Sequence, residues 1–476
     1  MFPTHKTKIV CTIGPASRSS GMLTQMISAG MNVARLNFSH GEFSGHARDI
    51  AAIRQASETV GRPVAIMADL PGPKIRIGEL LREPIQLERG QTLTLTTETV
   101  AGTAERISVN FANLPEVVKK GDCIFINDGF IQLAVTAVIP PEVRCEVVVG
   151  GIVRSRKGLN IPDVDLGISA FTDHDRRCLQ FALEQGVDAV SQSFVEDAAD
   201  IVAVRHAARQ LGHDPFIIAK IERSRAVDNL DGILRETDGI MVARGDLGVE
   251  IPIAKIPAVQ KKIMDMANRL GKPIITATQM LESMSTHRLP TRAEATDVAN
   301  AILDGTDCVM LSGESAVGNY PLAAVAMLGE IANDIEPNRM RYARNTDKGI
   351  SDGSRQVALS EVIASSVAAT INCITPVAII APTRSGTTAR RIARFRLPVW
   401  TAAVSSRKKV CQELLFSYGV LPVFEPNHPR EWREWIRTWL DSQGEGGDLA
   451  VLTEGPSERY PNRNNRLEII DLNAKE

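Results

Sequence analysis

Charged and hydroxyl side chains recur where short apolar runs of this sequence end. The residues concerned are Arg35, Asn37, Ser39, Asp69, Lys220, Glu222, Arg244, Asp246, Thr278, Ser312 and Glu314. Side chains alternate across an extended strand, so residues two apart share a face. Arg35 with Asn37, and Lys220 with Glu222, are therefore expected to point the same way. If the strands form a parallel barrel, all these groups meet at the mouth formed by the strands' carboxyl ends.

The chemistry of this set indicates metal-assisted phosphoryl transfer to or from a small carboxylate with enolate character. The carboxylates of Glu222 and Asp246 suit a hard divalent cation such as Mg²⁺, which usually takes one or two carboxylates plus substrate oxygens. The forked, permanently charged guanidinium groups of Arg35 and Arg76 suit a phosphoryl group. Lys220 suits an oxyanion that develops during the reaction, an electrostatic role worth roughly 10²–10³ in rate per donor.

The alternative is that these groups form ion pairs that only cap the strand ends, with Lys220 simply pairing with Glu222. For the whole set this interpretation is weaker, because many charges at one mouth are costly to desolvate and are usually functional. The turn from Gly245 to Gly248 could present backbone N–H groups to a carboxylate. The sequence has no Walker A, GxGxxG or HExxH motif. A nucleotide would therefore be held by scattered positive groups.

Eight short apolar runs could carry these side chains. They begin at Lys8, Met31, Val64, Ala189, Phe216, Gly239, Pro273 and Cys308. Short β-rich runs that alternate with longer helical stretches indicate βαβ units and a parallel sheet. Eight such units fit a closed (β/α)₈ TIM barrel better than a doubly wound open sheet, which remains the alternative.

The interval from Leu70 to Ala189 is several times longer than the others, and its apolar residues alternate with period two. With the turn signal Asp128-Gly129, this predicts a small all-β barrel domain inserted after the third strand. A further α/β domain is expected at the C-terminus. The predicted division is a TIM barrel of residues 1–70 and 168–338, an inserted lid domain of 71–167, and a C-terminal regulatory domain of 339–476.

Composition limits the kind of protein. The chain has 476 residues, 44% hydrophobic and 23% charged, which is typical of a folded globular protein. Lys plus Arg is 54 and Asp plus Glu is 56, a net charge of −2 that argues against a nucleic-acid or membrane-surface partner. No apolar run is long enough to span a bilayer. Seven scattered cysteines without a CxxC pair favour a reduced, cytoplasmic protein.

Several ordered motifs resemble those of the pyruvate kinase family, in its bacterial form. They are TKIVCTIGPAS from Thr7, GMNVARLNFSHG from Gly30, RKGLNIP from Arg156, AKIER from Ala219, MVARGDLGVEI from Met241, ITATQMLESM from Ile275, PTRAEATDVANAILDGTD from Pro290 and VMLSGESAVGNYP from Val309. The resemblance covers essentially the whole chain and implies transfer of the phosphoryl group of phosphoenolpyruvate to ADP, giving ATP and pyruvate. It also implies a requirement for Mg²⁺ or Mn²⁺ and a homotetramer.

The resemblance assigns roles residue by residue. Glu222 and Asp246 match the divalent metal ligands, and Lys220 matches the lysine that stabilises the transferring phosphoryl group and the enolate. Substrate-binding positions are matched by Arg35, Gly245, Asp246 and Thr278, and nucleotide-binding positions by Asn37, His40, Arg76 and Lys157. Thr278 and Ser312 match the groups that protonate the enolate. Taken alone, Ser312 and His40 would be interpreted as local hydrogen-bonding residues.

One departure concerns the monovalent cation. Asn37, Ser39, Asp69 and Leu70 match the family's K⁺ cage, but Leu70 replaces a hydroxyl residue and Lys74 adds an ammonium group. The resemblance to the K⁺-independent branch implies that Lys74 replaces the ion, so K⁺ is not expected to be required. The alternative is that Lys74 is an exposed hinge lysine.

The C-terminal domain carries a basic segment without acids between Arg384 and Lys409. Its first loop follows an apolar run and precedes a helical stretch, and it resembles the family's sugar-phosphate effector loop. The residues are Thr383, Arg384, Ser385, Gly386, Thr387 and Thr388. A solvated basic helix face is the alternative. The last loop, EGPSERYPNRNNR from Glu454, lacks the glycine-rich form of members regulated by fructose bisphosphate, and Trp432, Trp435 and Trp439 recur at a helical spacing that indicates packing.

Two other functions stay open from the residues alone. One is a barrel lyase or mutase that acts on phosphoenolpyruvate or a 2-oxo acid through a Mg²⁺-bound enolate. Such an enzyme needs no nucleotide, so Arg76 and Lys157 count against it. The other is a non-catalytic phosphate-binding regulator, against which the presence of Lys220, Glu222 and Asp246 argues.

Overall fold

The computed structural model describes residues 2–339, 358–455 and 464–474. The strands in chain order are β1 (Lys8–Thr12), β2 (Met31–Asn37), β3 (Ala65–Leu70), β4 (Ile85–Leu87), β5 (Thr92–Thr96), β6 (Arg106–Ser108), β7 (Cys123–Ile126), β8 (Ile131–Ile139), β9 (Glu142–Val149), β10 (Gly151–Val153), β11 (Leu159–Asn160), β12 (Ala189–Gln192), β13 (Phe216–Ile221), β14 (Gly239–Ala243), β15 (Ile274–Ala277), β16 (Cys308–Leu311), β17 (Ala378–Pro382), β18 (Thr401–Ser405), β19 (Val420–Phe424), β20 (Leu449–Glu454) and β21 (Arg466–Asp471).

The α-helices of the described residues alternate with these strands outside the insertion. They are α1 (Ser20–Ser28), α2 (Phe43–Val60), α3 (Leu114–Val117), α4 (Asp173–Glu184), α5 (Ala198–Gln210), α6 (Ser224–Asp228), α7 (Leu230–Glu236), α8 (Arg244–Glu250), α9 (Ile256–Arg269), α10 (Arg292–Asp304), α11 (Gly313–Ala316), α12 (Pro321–Ile335), α13 (Leu359–Ile371), α14 (Thr387–Ala393), α15 (Lys408–Glu413) and α16 (Trp432–Gln443). None of the helices in these ranges is long and apolar enough to cross a membrane.

The eight predicted barrel strands form one closed parallel barrel, in the order β1-β16-β15-β14-β13-β12-β3-β2. The prediction of a TIM barrel is confirmed, and the open-sheet alternative is wrong. Local signals set the helix ends: Thr291 and Glu294 form a capping box at the start of α10, and Gly305 ends that helix with φ +106°. Each of the seven cysteines is unpaired.

The insertion after β3 consists of strands apart from the one-turn helix α3, and it has a core of its own. Its strands form a six-stranded sheet in the order β11-β7-β8-β9-β5-β6 and a two-stranded sheet of β10 and β4. Arg76 pairs with Gly158 beside β11, and Ile77 pairs with Val109 beside β6. One segment therefore bridges residues next to both edge strands of the larger sheet. Asp128 lies in the turn between β7 and β8 with φ +55°, as the turn signal predicted.

The C-terminal domain is α/β, as predicted, with a five-stranded sheet in the order β19-β18-β17-β20-β21. Just before β19, the short turn Leu414–Phe416 enters the barrel's amino-terminal end. The Phe416 ring stacks on that of Phe216 in β13, with centroids 5.5 Å apart. The polar stretch of sequence that follows Glu336 lies mostly at 340–357, which is outside the described residues. Most of the last loop, which starts at Glu454, lies at 456–463 and is also outside them.

Candidate active site

Arg35 and Asp69 form the centre of a buried charge network at the barrel mouth. Arg35 lies on β2 and donates through Nε to Asp69 Oδ2 at 2.9 Å and through Nη1 to Thr12 Oγ1 at 2.9 Å. Ser191 Oγ donates to the other oxygen of Asp69 at 2.7 Å. Burial alone would raise the pKa of Asp69, but the charges of Lys220 and Arg35 outweigh it and lower the pKa to about 2.

Lys220 lies on β13 beside this pair. Its Nζ is 2.8 Å from Glu222 Oε1 and 3.4 Å from Asp69 Oδ1, and it donates to Ser193 Oγ at 2.7 Å. Burial alone would lower the pKa of Lys220, but the carboxylates of Asp69 and Glu222 reverse the effect and raise it. The ammonium group is thus held charged and fixed within a largely desolvated site.

Glu222 and Asp246 are the two carboxylates beside this ammonium. Glu222 Oε2 accepts the backbone N–H of Phe194 at 2.9 Å. Within the described ranges, the Asp246 carboxylate has no hydrogen-bond donor. Burial first and the Glu222 charge second raise the pKa of Asp246 to about 6. A carboxylate disfavoured in its charged form by burial and by a like charge is stabilised by a cation.

The donor set fits a divalent metal that keeps several ligands from elsewhere. Among the described residues no group of three or more His, Cys, Asp or Glu side chains could hold a metal ion. Two carboxylates plus substrate oxygens are the usual arrangement for Mg²⁺, which rarely has an all-protein cage. The site therefore suits such an ion in the presence of an oxygen-rich substrate.

Thr278 and Gly245 lie in contact next to Asp246. The Gly245 N–H donates to Thr278 Oγ1 at 2.7 Å, and that hydroxyl donates to Ala277 O at 2.7 Å. Thr278 has φ +67°, a left-handed conformation that is unusual for a β-branched residue. Strain of this kind persists where the surroundings impose it, and it is frequent at active sites.

The alternation rule fails just beyond the strand ends. β16 ends at Leu311 and α11 begins at Gly313, so Ser312 and Glu314 do not share a strand face. Glu314 is instead buried and accepts the backbone N–H groups of Ser312 and Leu281 at 2.7 and 3.1 Å. Glu314 therefore shapes a loop and adds no free charge to the mouth.

Arg244 departs from the expectation in the same way, because it is the first residue of α8. It donates to Asp297 Oδ1 at 2.8 Å and to the carbonyl of Thr278 at 2.8 Å. The Arg244 guanidinium group thus helps to hold Thr278 in its left-handed conformation.

The four positions predicted for a monovalent cation each make contacts within the protein. Lys74 Nζ donates to Ser39 Oγ at 2.7 Å, and the Ser39 N–H donates to Asn37 Oδ1 at 3.1 Å. The Asp69 carboxylate is engaged by Arg35 and Lys220, as described above, while the Leu70 carbonyl accepts Ser193 Oγ at 2.7 Å. Burial first, then the charges of Lys220 and Arg76, lower the pKa of Lys74. The contact with Ser39 places the Lys74 amino group among these residues.

The predicted nucleotide side is positively charged. Arg76, at the base of the insertion, donates through Nη1 to the carbonyl of Arg156 at 2.7 Å, and the carbonyl of Lys157 accepts Ile77 N–H at 3.0 Å. Burial and the charges of Lys74, Arg76 and Arg35 lower the pKa of His40. Lys74, Arg76 and Arg35 therefore lie close enough to His40 to affect its charge.

A cleft of about 1010 Å³ separates the insertion from the barrel. Asp128 and Phe130 line it from the insertion, and Gly245 and Gly248 line it from α8. Of the predicted substrate-binding positions, Gly245 lines this cleft between the barrel and the inserted domain.

Two hydroxyl residues of the site were not identified from the sequence. Ser191 and Ser193 lie at the end of β12 and orient Asp69 and Lys220. The signal was present, because they are two residues apart at the end of a predicted strand. Small uncharged side chains are a weaker sign of an active site than charged ones.

The predicted effector loop connects β17 to the short helix α14. Gly386 has φ +79°, and its N–H donates to Thr383 Oγ1 at 2.9 Å. Ser385 and Thr387 join through their hydroxyls at 2.9 Å, and Ser385 O accepts Arg390 Nη1 at 2.9 Å. The loop is thus ordered by its own side chains.

The basic segment is not simply a solvated helix face. Arg390 pairs with Glu413 at 3.2 Å and lies over the Phe216 ring, while Arg394 pairs with Glu361 at 2.9 Å. Arg396 is buried against Asp307 of the barrel. Three of the basic side chains therefore have acidic partners from distant parts of the chain. The alternative of a solvated basic face does not describe these three side chains, whose acidic partners could not be recognised from the sequence.

Comparisons with known proteins agree with the fold. Family models described as "Pyruvate kinase, barrel domain" and "Pyruvate kinase, alpha/beta domain" match residues 4–325 and 361–470. The chain is 48% identical over 423 residues to a pyruvate kinase of Thermococcus litoralis, covering 88% of this chain and 89% of that protein. It is 39% identical over 474 residues to a pyruvate kinase of Clostridium acetobutylicum, covering 98% and 99%. The crystal structure of a pyruvate kinase from Cryptosporidium parvum matches with TM-score 0.89 at 35% identity, covering 98% of this chain and 96% of that one.

Proposed function

The chain belongs to the pyruvate kinase family, and we propose that its barrel mouth transfers the phosphoryl group of phosphoenolpyruvate to ADP, giving ATP and pyruvate. The enzyme is a phosphotransferase. The observation that carries the assignment of residues is Lys220, a buried ammonium group 2.8 Å from Glu222 and 3.4 Å from Asp69. The lyase or mutase alternative is not favoured, since this chain matches pyruvate kinases over most of its own length and of theirs.

Glu222 and Asp246 would hold a divalent cation, Mg²⁺ or Mn²⁺. When bound, the ion supplies positive charge to the oxygens of the substrate carboxylate and phosphoryl group. The Lys220–Glu222 contact is the part of the site that rearranges, because Glu222 has to share its carboxylate between the ammonium group and the ion.

The chain's own cations carry the phosphoryl transfer. Arg35 binds the phosphoryl oxygens, and Lys220 stabilises charge as the bond to the enolate oxygen breaks and ADP attacks phosphorus. Gly245 and Thr278 hold the substrate carboxylate. The enolate then takes a proton from the side of Thr278 and Ser312 and becomes pyruvate.

The nucleotide is held by Arg76, Lys157, His40 and Asn37. In this proposal the insertion, residues 71–167, closes over the mouth and excludes water that would otherwise accept the phosphoryl group. Residues 1–70 and 168–338 form the catalytic barrel, and residues 339–476 form the regulatory domain.

Lys74 replaces the monovalent cation in this account. Its Nζ contacts Ser39 at 2.7 Å, within the group of residues that matches a K⁺ cage. A fixed ammonium group there supplies the charge that K⁺ would bring, so activity does not require K⁺.

Further proposals concern the oligomeric state, the effector and the cellular location. We propose a cytoplasmic homotetramer that takes a phosphorylated effector at the loop from Thr383 to Thr388. The ordered hydroxyls of that loop and Arg384 support a phosphate ligand.

An assay of pyruvate formation coupled to lactate dehydrogenase tests the function. With phosphoenolpyruvate, ADP and Mg²⁺, the wild type is expected to form pyruvate only when ADP is present, and Lys220→Met to lose about 10²–10³ in kcat. Lys409→Met, an exposed lysine of the C-terminal domain, is the matched control and should retain its rate. Pyruvate formation without ADP, or an undiminished rate for Lys220→Met, would refute the proposal.

A further inference from the structure

Arg223 follows the metal ligand Glu222 directly in the chain, and its side chain lies in a buried cluster of charges. Only 5% of that side chain is exposed. Its Nη1 is 3.5 Å from Glu250 Oε1, and its Nη2 is 3.2 Å from Glu196 Oε1. The phosphoryl-transfer steps above do not use this arginine.

Glu250 is the more unusual member of the cluster. Its side chain is 1% exposed, and within the described residues neither carboxylate oxygen has a hydrogen bond of good geometry. Burial dominates and raises the pKa of Glu250, although Arg223, the Ser224 N–H and the Asn160 amide lie close enough to oppose it. A buried carboxylate whose nearest cation is 3.5 Å away is costly and calls for an explanation.

The pair connects the two elements that carry the metal ligands. Glu222 and Arg223 are consecutive at the end of β13, while Asp246 and Glu250 are four residues apart on α8. Residues four apart lie about one turn from each other on the same helix face. The distance between Arg223 and Glu250 therefore controls how far the loop after β13 lies from α8.

The returning segment of the insertion contacts the same pair. Arg223 Nη2 is 3.5 Å from the carbonyl of Val164, and Ser224 Oγ donates to Asp163 Oδ1 at 3.3 Å. Asn160, on β11 of the insertion, lies near Glu250. A movement of the insertion would therefore reach the pair directly.

We propose that Arg223 and Glu250 are a positioning pair for the divalent metal site, holding the loop after β13 and α8 at the separation at which Glu222 and Asp246 share one ion. The inference rests on the proposed function, because it takes Glu222 and Asp246 as the metal ligands. It predicts a change in metal affinity, which a purely structural ion pair would not produce.

Direct binding of Mn²⁺ to the full-length protein, followed by the electron paramagnetic resonance signal of free Mn²⁺, tests the pair. Arg223→Met is expected to weaken Mn²⁺ binding about tenfold or more, the usual effect of removing a group that orients metal ligands. Arg223→Lys keeps the charge and should restore most of the affinity.

Arg225 provides the matched control. It lies two residues further on and pairs with Asp165 at 2.8 Å and Glu196 at 3.0 Å, but its side chain is 40% exposed. Arg225→Gln is therefore expected to change Mn²⁺ affinity by less than about twofold. Glu222→Gln, which alters a metal ligand itself, should abolish most of the binding.

The outcomes separate the inference from the proposed function. If Glu222→Gln loses Mn²⁺ while Arg223→Met binds like the wild type and only melts at a lower temperature, the pair is structural and the inference is wrong. An equal loss for Arg225→Gln also overturns it. If Glu222→Gln binds Mn²⁺ like the wild type, the metal ligands themselves are misassigned. Should Arg223→Met not fold, Glu250→Gln is expected to show the same tenfold weakening, and unchanged affinity in that variant contradicts the pair.

Discussion

The barrel mouth and the basic segment after Arg384 both concentrate charge, but they neutralise it in different ways. At the mouth, Arg35, Asp69 and Lys220 come from three strands and meet because parallel strands end together. In the basic segment, Arg394 and Arg396 find acids on α13 and on the barrel. The first arrangement follows from strand geometry. The second depends on which surface the domain packs against, so the two regions should respond differently to mutation.

The largest effect is expected from breaking the buried ion pair of the basic segment, and it is a loss of the free energy of unfolding. Arg396 and Asp307 are 6% and 5% exposed, and Asp307 Oδ1 also accepts the Tyr418 N–H at 2.9 Å. Removing one partner of a buried pair leaves an uncompensated charge, so Arg396→Met should lower the free energy of unfolding by about 3–5 kcal/mol. Chemical denaturation measures this value.

Lys409→Ala is the control from the same segment. Its side chain is 53% exposed, and its ammonium group lies 4.0 Å from Asp214 Oδ2 and 3.8 Å from Glu413 Oε1 and donates to the Asp214 carbonyl. The change should lie within about 0.5 kcal/mol. If Arg396→Met lowered the free energy of unfolding no more than Lys409→Ala does, the buried pair would not stabilise the contact between the C-terminal domain and the barrel.

The next effect concerns acid at the mouth. The pKa of Asp69 in the folded protein, about 2, is below its ordinary value of 3.8, so its ion pairs stabilise the fold fully above about pH 4 and are lost as the pH falls through about 2. At neutral pH, Asp69→Asn should cost at least ~2 kcal/mol. The difference from wild type, measured by urea unfolding at several pH values, should shrink between pH 4 and 2. A difference that is independent of pH would show that the charge of Asp69 is not what stabilises the mouth.

The third effect concerns Lys74 at the edge of the mouth. In buffer free of K⁺ and Na⁺ the wild type should be fully active, while Lys74→Met should lose about tenfold in kcat. The loss is smaller than that of a direct donor, because Lys74 contacts Ser39 and not the reacting atoms. Added K⁺ should restore part of the variant's rate. Strong activation of the wild type by K⁺ would contradict the role given to Lys74.

The smallest effect is expected at the effector loop. Arg384→Ala should leave the kinetics without effector within about twofold, since the loop lies outside the catalytic machinery. It should abolish any response of the half-saturating phosphoenolpyruvate concentration to a sugar phosphate. A response that survives in Arg384→Ala would place the effector elsewhere.

The sequence was informative where a short-range rule governs the structure. Alternation along β13 placed Lys220 at the mouth, and the capping box of Thr291 and Glu294 marked the start of α10. The rule failed at Ser312 and Glu314, because β16 ends at Leu311 and a helix begins at Gly313.

Such short-range rules did not predict contacts between residues that are far apart in the sequence. Nothing near Arg396 in the sequence indicates Asp307, and nothing near Arg223 indicates Glu250. Both pairs depend on how finished elements pack, and that packing is set by the whole core and not by one segment. Family resemblance supplied roles for the ligand-binding residues but no partners for these two arginines.

A crystal structure of the full-length protein with Mn²⁺ and oxalate, a dicarboxylate analogue of the pyruvate enolate, tests the central claim most directly. The account predicts an anomalous Mn²⁺ peak that bridges Glu222 and Asp246, with oxalate oxygens completing the coordination and Lys220 Nζ beside them. A Mn²⁺ peak away from these two carboxylates, or oxalate bound away from Lys220, would contradict it.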